Sequence, residues 1–178
     1  MIRDLTRRWL RLPLGLRTAI IVPCWAGLVY GALPFSLLGL GRLAGLPELP
    51  PRPFHLLGLI PFVPGAAVAL TCVTLFHVLG RGTPSPYDPP ERLLIVGPYA
   101  YCRNPMVAGN FVGVLGEGIL LQASLLLLLI VPGFVLFHLY IVRYEERHLV
   151  QRFGEAYEEY RRHVPQWVPR VRPYRPTG

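Results

Sequence analysis

The residues able to do chemistry are few and fall in clusters. Glu117 is the single charged residue in the 39-residue apolar stretch from Asn104 to Val142. Placing a carboxylate inside a bilayer costs at least a few kcal/mol, so such a group is a candidate proton acceptor or substrate contact. The alternative is a buried hydrogen bond to a neighbouring span, with His77 or His138 as partner. Glu145 and Glu146 are adjacent and lie between Arg143 and Arg147. On spacing alone they describe a solvated helix face with local ion pairs. Arg143 is open between snorkelling to the interface and contact with a substrate headgroup. Upstream, residues 97–106 read GPYAYCRNPM. Gly97-Pro98 is a turn signal, and Tyr99 and Tyr101 suit an interfacial anchor. Arg103 suits a lipid phosphate, and Asn104-Pro105 suits an N-cap followed by the first helical position. Cys24, Cys72 and Cys102 are odd in number with no C-x-x-C spacing, and the five histidines are scattered. Neither a disulfide framework nor a metal site is indicated.

The elements that must position these residues are membrane spans. The 178-residue chain is 52% apolar with a mean hydropathy of +0.41, which excludes an ordinary soluble domain. Thr18 to Leu40 (23 residues) and Pro53 to Gly80 (28) carry no Asp, Glu, Lys or Arg. Each is long enough to cross a hydrocarbon core of about 30 Å once. The 39-residue stretch is too long for one crossing and predicts a hairpin of two short spans turning at Gln122, Ala123 and Ser124. The expected fold is all-α and integral to the membrane, with four spans and an amphipathic C-terminal helix.

All 18 basic residues are arginine. Sixteen lie in residues 1–17, 80–103 and 143–178, and two in the 41–53 loop. With four spans this bias places both termini in the cytoplasm, at the inner membrane if the cell is prokaryotic. The arginines follow span ends and form no aromatic-interleaved patch, so nucleic-acid binding is not expected and contact with membrane lipids is. A cleaved signal peptide does not fit a first apolar run of this length without a clear small-x-small site. Leu149, Phe153, Tyr157, Tyr160 and Val164 recur every three or four residues, the pattern of an amphipathic helix that lies on the headgroup layer or lids the bundle, with Tyr157 and Tyr160 as membrane-belt residues.

The ordered set GPYAYCRNPM at 97–106, YEE at 144–146, FGEAYEEY at 153–160 and Val164-Pro165 resembles the isoprenylcysteine carboxyl methyltransferase-like family of integral membrane methyltransferases, which includes phospholipid methyltransferases. The likeness covers residues 80–170, including the GTPSPYDPP segment, and divides a single membrane domain into a two-span scaffold (1–79), a methyltransferase-like half (80–170) and a tail (171–178). The resemblance implies that S-adenosylmethionine binds at the cytoplasmic face. Gly97, Tyr99, Tyr101, Arg103, Asn104, Pro105, Glu145 and Glu146 are then the cofactor-binding candidates, and Arg143 and Glu117 the catalytic ones. In that reading a Glu holds the cofactor's ammonium, Arg103 its carboxylate, and a Tyr its sulfonium or adenine. No metal is needed. The acceptor is lipophilic or amphipathic: a carboxylate, an amine or a thiol. Two departures stand out: Asn104 replaces the usual His and cannot titrate, and Val107 replaces a common Tyr. A non-catalytic membrane adaptor of the same fold, or a nicotinamide-dependent membrane reductase, are the competing readings.

Overall fold

The computed structural model describes residues 12–81, 83 and 91–176. The arginine-rich residues 1–11, all of the GTPSPYDPP segment but Thr83, and the last two residues of the tail lie outside the described residues. Among the described residues every regular element is helical. Helix α1 runs Leu14–Leu43, α2 Phe54–Val78, α3 Pro105–Leu120, α4 Ser124–Phe153 and α5 Glu155–His163.

Helices α1, α2 and α4 are 30, 25 and 30 residues long and apolar enough to cross a membrane. At about 1.5 Å per residue they extend roughly 45, 37 and 45 Å. Helix α3 is apolar but has 16 residues, roughly 24 Å. The hairpin turn falls within one residue of where the sequence places it, between Leu120 and Ser124. Its partners differ from a simple pair of short spans, because α4 continues past the apolar region to Phe153 and α3 packs most extensively on α2.

Glycines explain that choice. A Cβ at Gly65 would lie 2.4 Å from the Gly113 nitrogen, and one at Gly116 2.4 Å from the Phe62 nitrogen. The two backbones therefore touch, as small-residue seams permit in a membrane, where dispersion replaces the hydrophobic effect as the source of helix attraction. Proline shapes α1. Pro34 cannot donate to the carbonyl of Tyr30 and its ring crowds it, and the chain relieves this with a π-turn at Leu28–Ala32. A second π-turn, Ile141–Glu145, interrupts α4 just before Glu146.

Polar contacts tie the spans at both ends. Thr18 Oγ1 lies 2.8 Å from His77 Nδ1, and the Tyr30 hydroxyl donates to Asn110 Oδ1 at 2.9 Å. At the opposite end of α3, Gln122 adopts φ +56° and donates from Nε2 to the Pro50 carbonyl at 2.7 Å, while Ser124 Oγ bonds the Pro47 carbonyl. The α3–α4 turn is thus fastened to the loop between α1 and α2.

Candidate active site

The chain before α3 and the chain after α5 run side by side. A tight 3-10 turn, Gly97–Ala100, opens the first segment, with Gly97 at φ +56°, a conformation that favours glycine. Residues 100–104 then bond to residues 164–174, a strap laid antiparallel against them. Arg103 N donates to the Pro165 carbonyl at 2.9 Å and Asn104 N to the Gln166 carbonyl at 3.3 Å. In return, Arg170 N donates to the Tyr101 carbonyl at 3.0 Å and Tyr174 N to the Ala100 carbonyl at 2.9 Å. Cys102 Sγ sits under the strap, 3.1 Å from the Gln166 carbonyl and 3.3 Å from that of Trp167. Burial pushes its thiol pKa up.

Arg103 is fixed from three sides. Its Nε donates to the Val164 carbonyl at 3.0 Å, its Nη1 pairs with Glu146 Oε1, and the same nitrogen lies 3.5 Å from the Tyr157 hydroxyl. The two charged side chains of the pair are only 11% and 12% exposed. This contact joins sequence positions 43 apart and brings the RNP and Glu-Glu motifs together. On the spacing of charges alone, Glu146 belonged to a solvated face with local pairs; its partner is distant and the pair is nearly buried.

The layer beneath the pair is aromatic. Gly154, at φ +56° and ψ −131°, turns the chain sharply from α4 into α5. That turn folds α5 back so that Tyr157, Tyr160 and Val164 are buried with Leu93, Ile95, Leu149, Val150, Phe153 and Tyr174 around them. Tyr157 and Tyr160 are therefore not membrane-belt residues as the periodicity suggested. Each is 3% exposed, and the Tyr160 hydroxyl donates to the Tyr99 carbonyl at 2.7 Å. Burial raises both phenol pKa values, and for Tyr157 the neighbouring Glu146 adds to the effect, so both stay protonated donors near neutral pH.

The other expected site residues are placed unequally. Tyr99 is buried with its ring edge-on to Phe76 at 5.8 Å, while Tyr101 is half-buried. Pro105 occupies the first position of α3 after Asn104, yet the Asn104 side chain makes no capping bond. Its Nδ2 is buried without a partner. Glu145 and Arg143 are exposed on α4. Glu117 is not brought to this group, since twelve residues of helix separate it from Pro105, about 18 Å. Its expected histidine partners are engaged elsewhere, His77 with Thr18 and His138 with Trp167, and Glu117 Oε2 has no hydrogen-bond partner.

Sequence reasoning missed the strap. Trp167 Nε1 donates to His138 Nδ1 at 3.1 Å, and its ring packs on Phe134 at 4.7 Å, so the strap is pinned to α4. Val164-Pro165 marked its start as a motif, but nothing beyond Gln166-Trp167, an amide and an aromatic in a proline-rich stretch, signalled its contacts. A recess of about 420 Å³ opens beside the pair, lined by Val142, Glu146, Arg147, Val150, Gln151, Glu158 and Arg161. Glu146 thus touches both Arg103 and this space. Among the described residues no group of three or more His, Cys, Asp or Glu is placed to hold a metal ion.

A sequence model of the phospholipid methyltransferase family matches residues 54–156, more than half of the chain. Among curated proteins, the protein-S-isoprenylcysteine O-methyltransferase of Schizosaccharomyces pombe is 37% identical over 82 residues, 46% of this chain and 35% of that protein. The nickel-cobalt-cadmium resistance protein NccN of Alcaligenes xylosoxydans xylosoxydans is 32% identical over 83 residues, 47% of this chain and 38% of that protein. The cobalt-zinc-cadmium resistance protein CzcN of Cupriavidus metallidurans is 34% identical over the same length and shares. The aligned part of the chain spans little more than a third of each of these relatives. No solved structure matches it.

Proposed function

The chain belongs to the phospholipid methyltransferase family, and from that premise we propose that it transfers a methyl group from S-adenosylmethionine to a lipophilic or amphipathic acceptor at the cytoplasmic membrane face. The observation that carries this reading is the Arg103–Glu146 pair, which joins the two motifs at the edge of a recess. The recess is open to the surface, and Glu146 is the member of the pair that lines it.

The residues fit the cofactor's chemistry. An amino-acid end carries an ammonium and a carboxylate; Glu146 and Glu145 suit the first, and Arg103 suits the second through its planar fork. The buried, partnerless Asn104 Nδ2 offers a further donor. With the Tyr99 ring committed to Phe76, the aromatic contact falls to Tyr101. When bound, S-adenosylmethionine supplies an electrophilic methyl on a sulfonium. The protein's part is to hold the amino-acid end rigidly, to exclude water with the strap, and to align the acceptor. Asn104 cannot accept a proton as a base, which favours an acceptor that arrives with a free lone pair, such as a carboxylate or a thiolate. Arg143, exposed one turn before Glu146, is assigned to the acceptor's headgroup.

In the same reading α3 crosses as a shortened fourth span, with its N-terminal end and both chain termini on the cytoplasmic side. The test is the melting temperature of the detergent-purified protein with S-adenosylmethionine, S-adenosylhomocysteine or a reduced nicotinamide cofactor. A ligand that binds only the folded state adds about 2.7 kcal/mol of stability at one hundred times its dissociation constant. A shift with the adenosyl compounds alone is expected. A shift with the nicotinamide alone, or none in a protein that melts cooperatively, refutes the reading.

A further inference from the structure

Gln166 is held through its backbone carbonyl and not through its side-chain nitrogen. Its carbonyl accepts two bonds, from Asn104 N at 3.3 Å and from Cys102 Sγ at 3.1 Å. Its neighbours on the strap are fixed as well. Val164 and Pro165 offer their carbonyls to Arg103, and Trp167 is pinned to His138. Yet the side-chain Nε2 is buried without a hydrogen-bond partner, and the same is true of Asn104 Nδ2 on the residue bonded opposite. Leaving a buried amide donor unpaired is unfavourable, and folded proteins pair nearly all such groups. Two buried amide nitrogens without partners thus lie on two residues joined by the Asn104 N–Gln166 O bond, next in sequence to Arg103 on one side and to Pro165, an acceptor for Arg103, on the other.

We propose that Gln166 is a binding residue of the methyl donor's site, donating from Nε2 to an acceptor atom of that ligand next to Asn104. This rests on the methyl-donor reading above. It goes beyond that reading by assigning a ligand contact to the strap, a segment outside the 54–156 match to the family and outside every residue first singled out as part of the site. The backbone of the strap supports Arg103, and the Gln166 side chain completes the donor set.

An orphaned donor kept for a ligand leaves a distinctive signature. Replacing it with an apolar side chain of similar size removes an unpaired buried group, so the free protein does not lose stability while affinity falls. The experiment measures free-protein melting temperature and S-adenosylhomocysteine affinity for wild type, Gln166→Leu, Gln166→Met and the exposed control Arg162→Leu. The expected result is an unchanged or raised melting temperature in at least one Gln166 variant, with affinity lowered about tenfold, the worth of one hydrogen bond. Arg162→Leu leaves both unchanged.

Wild-type affinity in a folded Gln166 variant overturns the assignment. So does a fall in free-protein melting temperature in both variants, because the amide then serves the fold. Failure of the wild type itself to bind S-adenosylhomocysteine overturns the methyl-donor reading and the assignment to that ligand together, and is recognised by its independence of residue 166.

Discussion

Removing one member of the Arg103–Glu146 pair leaves a nearly buried charge alone. The partners are 11% and 12% exposed, so the relevant scale is that of buried pairs, about 3–5 kcal/mol for loss of one partner. Glu146→Gln keeps the shape and one acceptor but strands the guanidinium, and is expected to cost about 3 kcal/mol. Arg103→Met strands the carboxylate and also releases the Val164 carbonyl, bonded at 3.0 Å, which adds about 1 kcal/mol. The double variant Arg103→Met with Glu146→Gln removes both charges and is expected to cost about 2–3 kcal/mol less than the sum of the singles. The contrast is internal to the molecule. Arg161 and Glu158 form a pair at 3.1 Å with side chains 41% and 37% exposed, and Glu158→Gln is expected to cost under about 1 kcal/mol. Equilibrium denaturation of the detergent-solubilised protein measures all four. Single losses below about 1 kcal/mol that simply add would show that the 103–146 contact is solvated, and the argument for a joined site would fail with it.

Other outcomes follow from particular contacts. Gly116→Ala, whose Cβ would lie 2.4 Å from the Phe62 nitrogen, is expected to lower the melting temperature by prising α2 from α3, whereas Gly133→Ala, 3.8 Å from Phe111 Cε1, is expected to be near neutral. Tyr160→Phe strips the buried Tyr99 carbonyl of its 2.7 Å donor and is expected to cost about 1–3 kcal/mol, read by the same denaturation assay. Cys102 is covered by the strap and its thiol pKa is raised. Because the thiolate is the reactive form, maleimide labelling of Cys102 is expected to be slow at neutral pH and to quicken as pH rises. Trp167→Ala, which unpins the strap from His138, is expected to speed that labelling at constant pH; an unchanged rate would show that the strap is held without Trp167.

Hydropathy located the apolar helices and placed the turn at residues 122–124, one residue later than the 121–123 of the structure, because a bilayer demands long uninterrupted runs and a hairpin needs a polar break. Gly65, Gly113 and Gly116 let α2 and α3 touch, but that pairing is legible only in three dimensions, since periodicity names a face and not what lies on it. The same limit explains Tyr157 and Tyr160. A period of three to four residues identifies the buried side of α5, but whether that side meets lipid or protein depends on the reversal at Gly154. Glu117 drew attention as a lone carboxylate in an apolar run, a signal of cost that carries no position, and the fold leaves it at the far end of α3. Arg103 and Glu146 were both named in advance through their motifs, yet the bond between them crosses 43 residues and no local pattern contains it. The strap was the least legible part, because it is held by backbone carbonyls, which every residue has.

That dependence on residues 164–174 has a consequence for how the protein is made. The glycine seam between α2 and α3 is complete once residue 116 has been synthesised, so this core can form while the chain is still attached to the ribosome. Arg103 must wait for its acceptors on Val164 and Pro165, which follow Gly116 by almost fifty residues. At about 5–20 residues per second, that is an interval of roughly 2–10 seconds in which α2 and α3 can be packed while the guanidinium lacks its final partners. Packing of α2 on α3 and completion of the Arg103 contacts are thereby separated in time.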